Sequence, residues 1–187
     1  SSITINSEQT ECDSSCDGVY LFNSMEKAIS RIYADDSSPV TIMIENVADI
    51  RFPIQMVDYL KLDGGVGMRE IVVVDIGDMG TGFIVDENVK STQFNNFTIK
   101  DGNGPQGGGI YIYKAGTEIE NMSFLSNKSS SGGAIYIEND YDRADEVVSI
   151  VGSTFEANSS NGGRGGAITN IRGNLVVRES DIQSSQI

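Results

Sequence analysis

Five aspartates lie at or near the ends of predicted strands, where acid–base chemistry is commonly placed: Asp63, Asp75, Asp78, Asp86 and Asp101. Two carboxylates held a short distance apart hydrolyse glycosidic bonds, one as acid and the other as base or nucleophile. However, no regular spacing aligns these five into a cluster, and basic residues are scarce beside them. Aspartate also caps turns by accepting hydrogen bonds from nearby backbone N–H groups. We therefore expect turn-capping aspartates and no catalytic residue.

The motifs that could hold a metal are incomplete. The segment Asp101-Gly102-Asn103-Gly104 is similar to the start of a calcium loop, but it lacks the later Glu of an EF-hand and is not repeated. Cys12 and Cys16 are the only cysteines, and the sequence has no histidine, so a zinc site lacks ligands. We expect the two cysteines to form a small disulfide loop in an oxidising compartment, with two free thiols as the alternative. No metal and no cofactor are predicted.

The charge balance excludes some classes of partner. The 13 Lys and Arg residues against 27 Asp and Glu residues give a net charge of −14. Nucleic acids and anionic membrane surfaces repel such a chain, so neither is expected to bind. A solvated acidic surface is the simplest explanation, and calcium or a cationic partner is the alternative. No stretch approaches the ~20 apolar residues needed to cross a bilayer, so no membrane span is expected in this segment.

Two sets of predicted surface residues are candidates for binding or modification. Tyr111, Tyr113 and Tyr136 are expected to form an outward aromatic stripe, which either stacks on sugars or simply packs between neighbouring coils. Four Asn-x-Ser/Thr sequons are glycosylation candidates if the protein passes through a eukaryotic secretory pathway. Their acceptors are Asn96, Asn121, Asn127 and Asn158.

A repeated couplet, Phe-x-x-Asn followed by Gly-Gly-Ala-Ile, organises the second half of the chain. It occurs as Phe124 to Asn127 with Gly132 to Ile135, and again as Phe155 to Asn158 with Gly165 to Ile168. A degenerate copy begins at Ile99 and a partial one at Ile182, so the leading residues are 25, 31 and 27 positions apart. Such a period, with short β-branched segments between turn residues, predicts stacked β-coils.

The couplet assigns a position to each of its residues. Phe124 and Phe155 are expected to stack inward above Ile99, and Ile110, Ile135 and Ile168 to form a second inward column. The pairs Gly132-Gly133 and Gly165-Gly166 permit sharp turns. Asn127 and Asn158 tolerate the left-handed region and are expected at corners, where their amides bond the turns. Asn96 and Asn121 then face outward, so we expect glycans there.

The couplet resembles the repeat of the polymorphic outer membrane proteins, which are long surface proteins of chlamydiae with similar repeats in some protists. The resemblance covers residues 99–168 and implies a right-handed parallel β-helix that serves adhesion and surface display, with no catalytic residue to transfer. The N-terminal run has a predicted helix from Ser24 to Tyr33 and a strand from Val40 to Ile44. It resembles the entry of pectin-lyase-like β-helices, in which a helix covers the first coil.

Together these observations predict an all-β, right-handed parallel β-helix with a short N-terminal capping helix. We expect one domain over 1–187, with a cap at 1–39 and six or seven coils at 40–187 that continue beyond the C-terminus. The insertion 138–146 is expected to cause the longer spacing. The predicted function is an extracellular or cell-surface structural or adhesive module. A polysaccharide-active enzyme and a carbohydrate-binding module are the alternatives. Expected partners are further repeats or a second copy at the open C-terminal end, and a cell-surface receptor or glycan.

Overall fold

The chain winds into a stack of parallel β-coils, as the repeat predicts. The computed structural model describes residues 2–6, 20–22, 25–30, 36, 39–46, 52–65, 72–140 and 145–183. Every strand pairing within these residues is parallel, and consecutive coils pair through each sheet. The architecture is therefore an all-β parallel solenoid of about four turns.

The N-terminal part adds strands and one short helix to the stack. Its elements are β1 (Ser2–Asn6), β2 (Tyr20–Phe22), α1 (Met25–Ser30) and β3 (Val40–Asn46). In α1, Met25, Ala28 and Ile29 are buried and belong to the same core cluster as the coils. This apolar face follows from their three- and four-residue spacing. The predicted helix is confirmed over 25–30, whereas Ser24 and residues 31–35 lie outside the described residues.

Five stacked sets of strands follow, which together make about four turns of the solenoid. Each set crosses a first, a second and a third sheet in that order, and three of the sets add a short strand in a fourth sheet. The strands are β4 (Ile54–Gln55), β5 (Leu60–Asp63) and β6 (Val73–Asp75); β7 (Phe83–Val85), β8 (Thr92–Asn95), β9 (Thr98–Lys100) and β10 (Asn103–Gly104); β11 (Ile110–Tyr113), β12 (Thr117–Glu120), β13 (Ser123–Leu125) and β14 (Lys128–Ser129); β15 (Ile135–Glu138), β16 (Val147–Val151), β17 (Thr154–Glu156) and β18 (Ser159–Ser160); and β19 (Ile168–Ile171), β20 (Asn174–Arg178) and β21 (Asp181–Gln183).

The sheets differ in length at the N-terminal side. The first sheet runs β4-β7-β11-β15-β19 and the third runs β6-β9-β13-β17-β21. The second sheet is longer, with the order β2-β1-β3-β5-β8-β12-β16-β20. Since β1, β2 and β3 have no counterparts in the other sheets among the described residues, the predicted six or seven coils overcount the regular part.

Inward side chains form columns that continue from coil to coil. In the third sheet, Ile99, Phe124 and Phe155 are in register and fully buried. The rings of Phe124 and Phe155 stack with centroids 4.8 Å apart and planes 5° apart. In the first sheet, the predicted column of Ile110, Ile135 and Ile168 is also in register. Both predicted columns are therefore confirmed, although Ile168 in the last coil is only partly buried.

The two glycines of the couplet meet different requirements. Gly132 has a φ of +64°, a conformation that a residue with a Cβ adopts only at a cost. Gly133 lies under the next coil, and a Cβ there would collide with the carbonyl oxygens of Gly166 and Ser159. The couplet thus combines one glycine for backbone conformation with a second for close packing of coils.

The longer spacing between the two full couplets comes from one connection. Residues 114–116 join β11 to β12, whereas residues 139–146 join the equivalent strands β15 and β16. The predicted insertion is therefore confirmed in position, and its residues 141–144 lie outside the described residues.

Candidate binding surface

The asparagines of the couplet point into the stack and bond the preceding coil. Asn127 Nδ2 donates to the Ile99 carbonyl at 3.0 Å, and Asn127 Oδ1 accepts from the Gly102 N–H at 3.0 Å. Asn158 repeats this arrangement one coil later, with Nδ2 donating to the Phe124 carbonyl at 2.9 Å and Oδ1 accepting from the Asn127 N–H at 3.0 Å. Both side chains have no exposed surface. They hold neighbouring coils together at the corner.

The prediction that these asparagines adopt the left-handed conformation is wrong, because the residue before each of them adopts it instead. The positive φ values belong to the preceding residues, Ser126 at 57° and Ala157 at 55°. That turn directs the next side chain inward, which explains why Asn127 and Asn158 bond across coils instead of within their own turn.

The other two sequons lie at a second, outer corner. Asn96 and Asn121 have positive φ values, and Phe97 and Met122 after them are buried, as strand alternation predicts. Asn121 is exposed, while Asn96 is half-buried and donates from Nδ2 to Asp63 Oδ1 at 2.8 Å. Glycosylation itself stays a prediction, and Asn121 is the better-placed acceptor of the two.

Most of the candidate aspartates cap turns. Asp63, Asp75 and Asp86 each accept a hydrogen bond from the backbone N–H two residues later, at 2.8, 3.0 and 3.0 Å respectively. Burial alone would raise the pKa of Asp63, but hydrogen bonds from Asn96, Lys61 and the Gly65 N–H outweigh it and lower the pKa. Asp78 has a φ of 61° at an exposed turn.

The structure brings two of the candidate aspartates together around a lysine that sequence reasoning did not select. Lys100 Nζ lies 2.6 Å from Asp75 Oδ2 and 3.2 Å from Asp101 Oδ2. The hydrogen bond to Asp75, and then that to Asp101, raises the pKa of Lys100. The ammonium therefore stays charged and occupies both carboxylates, which are about half exposed. A general acid needs a carboxyl that is free to reach a substrate oxygen, and here one ammonium holds both carboxylates.

The predicted tyrosine stripe lies on the outer side of the first sheet together with charged groups. We call Tyr111, Tyr113, Lys114, Tyr136 and Glu138 the tyrosine face. The strand residues among them face outward by alternation, since Ile110, Ile112, Ile135 and Ile137 point inward, and Lys114 follows the end of β11 with a φ of 52°. Register places Tyr136 beside Tyr111 and Glu138 beside Tyr113 on the next coil.

One half of the tyrosine face holds an ammonium over a ring. Lys114 Nζ lies 4.8 Å from the centroid of Tyr113, 2.6 Å from Asp140 Oδ2 and 3.4 Å from Glu87 Oε2. The hydrogen bond to Asp140, and then that to Tyr113, raises the pKa of Lys114. A cation over an aromatic ring is attracted by the negative face of the ring.

The other half pairs a carboxylate with a phenol. Tyr111 Oη donates to Glu138 Oε2 at 3.3 Å, and the Tyr111 ring lies 5.7 Å from that of Tyr136 and 6.3 Å from that of Tyr113. Burial and the neighbouring Glu138 charge raise the pKa of Tyr111 to about 12. Its hydroxyl is thus a neutral donor at physiological pH. Tyr136 is only 5% exposed, so the stripe is less open than predicted.

The last described coil leaves apolar positions uncovered. Val177 and Ile182 continue the inward columns through Ile150 and Phe155. Ile150 and Phe155 have no exposed surface, whereas Val177 is 43% and Ile182 is 53% exposed. The exposure follows from the absence of a covering coil over β20 and β21 among the described residues.

Few of the described residues bear on the remaining sequence predictions, which concern the cysteines, a metal site and a membrane span. Cys12 and Cys16 lie outside them. Where the structure is described, no three His, Cys, Asp or Glu side chains are grouped closely enough to hold a metal ion. The described segments contain one helix, α1, and it lacks the length and the apolar character needed to cross a membrane.

Comparisons of the chain with protein-family models, with curated proteins and with solved structures found no match.

Proposed function

We propose that this chain is an extracellular or cell-surface structural or adhesive module built from repeats of the polymorphic outer membrane protein type. The two full couplets occupy equivalent positions on successive coils, which supports the resemblance at the level of the repeat. A solenoid of this kind is a rigid support that presents side chains from several coils on one surface.

The observation that carries the adhesive function is the tyrosine face. Its side chains come from two consecutive coils and lie outside the core columns, so the inward packing does not require them. Tyrosine is enriched where proteins contact partners, because it combines a large rigid surface with a polar group. The half-buried rings of Tyr111 and Tyr113, together with the charges of Lys114 and Glu138, therefore support a contact surface on a stiff scaffold.

A structural contribution is proposed for the last described coil, β19, β20 and β21. Its inward residues Val177 and Ile182 are exposed, and the end of such a stack accepts further strands. The partial couplet that begins at Ile182 has the same register as Phe155, so another coil of the same repeat fits this edge. We propose further repeats of this type as its cover.

A polysaccharide-active enzyme is the second candidate, and the contact of Asp75, Lys100 and Asp101 favours it. Carboxylates beside a basic residue on an outer face are what such an enzyme requires. The close ion pairs weigh against it, because both carboxylates are held by one ammonium.

One experiment separates the two candidates. The full chain is immobilised, and retention of labelled dextran, polygalacturonate, chitosan and polylysine is measured together with release of new polymer ends. The adhesive function predicts retention of at least one polymer without cleavage, reduced at least about fivefold in Tyr111→Leu/Tyr113→Leu. Gln93→Leu, on the outer side of the second sheet, is the matched control and is expected to retain normally.

The outcomes are distinct. Cleavage that disappears in Asp75→Asn and Asp101→Asn would establish the enzyme and overturn the proposal. Retention of no polymer, or equal loss in the tyrosine variant and in Gln93→Leu, would also overturn the adhesive function. Circular dichroism of each variant verifies that the coils remain folded.

A further inference from the structure

The tyrosine face contains two pairs of a tyrosine and a nearby carboxylate, and one of the pairs also holds an ammonium. In the first, the Tyr113 ring, the Lys114 ammonium and the Asp140 carboxylate are in contact, with 4.8 Å from ring centroid to Nζ and 2.6 Å from Nζ to Oδ2. This shows that the outer side of the first sheet accepts a cation between a phenol ring and a carboxylate.

In the second, the Tyr111 ring and the Glu138 carboxylate are neighbours, and a phenol hydroxyl contacts the carboxylate in place of an ammonium. That hydrogen bond is 3.3 Å long, which is beyond the usual O–H···O range of roughly 2.5–3.0 Å. Glu138 is half-buried, and a partly desolvated carboxylate is stabilised far more by a cation than by a neutral phenol. The second arrangement is therefore complementary to a cation supplied from outside.

We propose that Tyr111 and Glu138 bind the ammonium or guanidinium group of a lysine or arginine side chain on a basic partner polypeptide. This inference rests on the proposed adhesive function and names the chemistry of its partner. The cation lies against the Tyr111 ring and donates hydrogen bonds to the Glu138 carboxylate, while Tyr136 packs behind Tyr111 and fixes its orientation. The net charge of −14 attracts a basic partner over longer distances.

The ring geometry favours a cation over a sugar. Stacking on a pyranose ring would use a flat row of aromatic faces. However, Tyr111 is tilted by 31° to Tyr113 and by 53° to Tyr136, and Tyr136 is almost covered. A point-like cation needs only part of one ring and one carboxylate, and the half-buried Tyr111 with Glu138 supplies both. A flexible basic side chain approaches this pair in the manner of Lys114.

The test uses the full chain and a blocked peptide, Lys-Gly-Lys-Gly-Lys, with its lysine-acetylated form as the neutral counterpart. The sequence has no tryptophan and seven tyrosines, three of them on the tyrosine face, so a change in tyrosine fluorescence follows binding and calorimetry gives the affinity. Glu138→Gln is expected to weaken binding about fivefold to tenfold, because it removes a charged partner of the cation. Tyr111→Phe keeps the ring, frees Glu138 from its phenol and is expected to bind at least as tightly as the native chain. Tyr111→Leu is expected to weaken binding about threefold or more.

Glu118→Gln is the matched control, because it removes the same charge from an exposed position on the second sheet. It is expected to change affinity less than about twofold. Equal weakening by Glu138→Gln and Glu118→Gln would show diffuse charge attraction and overturn the proposal. Equal binding of the acetylated peptide, or binding of chitosan but not of the peptide, would also overturn it. Polymer retention by the tyrosine face in the earlier experiment, without peptide binding here, would reject this cation site and leave the adhesive function standing.

Discussion

Replacing Asn158 with Ala should destabilise the stack far more than a change at an exposed amide. The side chain is fully buried and makes three contacts with the preceding coil. Its Oδ1 accepts from both the N–H and the Nδ2 of Asn127, and its Nδ2 donates to the Phe124 carbonyl. Alanine removes all three at once.

The magnitude follows from the groups that lose their partners. The Asn127 N–H would remain buried without the Asn158 amide, the Phe124 carbonyl would lose the same amide, and each such loss costs about 1–3 kcal/mol. The expected loss in the free energy of unfolding is therefore about 2–6 kcal/mol, before any relaxation that admits water. A typical domain has only about 5–15 kcal/mol in total, so the variant should be close to unfolding.

The stability of the variant Asn158→Asp should depend on pH. The introduced carboxyl still accepts from Asn127, but its second oxygen faces the Phe124 carbonyl. Burial and this repulsion raise the pKa of the carboxyl above its unfolded value of about 3.9. A raised folded pKa means that the stability is present below about pH 4, where the proton can bond the Phe124 carbonyl, and is lost as pH rises. The free energy of unfolding of the variant should be close to that of the native chain in acid and lower than it at neutral pH.

Urea unfolding followed by circular dichroism measures both effects, with the native chain run at each pH. Asn121→Gly is the control, because Gly152 stands at the equivalent corner of the next coil with a φ of +60°. Asn121 is exposed and makes a long hydrogen bond of 3.4 Å to Asn96. Asn121→Gly should therefore lower the free energy of unfolding by less than about 1 kcal/mol. If Asn158→Ala costs no more than Asn121→Gly, the corner amides do not hold the coils together.

Three further predictions concern the column, the surface and the edge. Phe124→Ala should cost about 3–5 kcal/mol, and a double-mutant cycle with Phe155→Ala should give a coupling of about 0.5–1.5 kcal/mol for the ring stack; a coupling near zero would contradict the stacking. Peptide mass spectrometry of protein from a eukaryotic secretory host should find glycan on Asn121 and none on Asn127, and full occupancy of Asn127 would show that its amide is not committed to the fold. Hydrogen exchange of the isolated chain should be faster in 174–183 than in the equivalent strands of earlier coils, and uniform protection would show that this edge is covered.

The solenoid was predictable because its determinants are local and repeated. The couplet fixes one inward aromatic, one corner amide and two glycines in each coil, and stacking places equivalent residues in register. The columns through Phe124 and Ile135 and the position of the insertion therefore followed from spacing alone. The number of coils did not, because the N-terminal strands carry no couplet and contribute to the second sheet only.

The charged contacts were not predictable in the same way. Lys100 joins Asp75 and Asp101 because β6 and β9 are neighbouring strands, although Asp75 lies 25 positions before Lys100 in the sequence. Lys114 was overlooked because it follows an aromatic strand at a position that the couplet does not define. A usable signal was present, since Glu138 follows Tyr113 by the same 25 positions that separate Ile110 from Ile135. Applying the period to outward residues would have placed Glu138 beside the tyrosines.

The same reasoning explains where function should be sought in a repeat protein of this kind. The residues of the couplet serve the fold itself. Asn127 and Asn158 bond adjacent coils, and Phe124 and Phe155 fill the interior. Any specific surface must therefore use the outward positions that differ between coils. In the first sheet the outward position occupied by Tyr111 holds Ile84 one coil earlier and Thr169 two coils later. The tyrosine face is thus an irregular patch on a regular scaffold. Substitutions there should alter binding and leave the coil stack intact, whereas substitutions in the couplet should do the reverse.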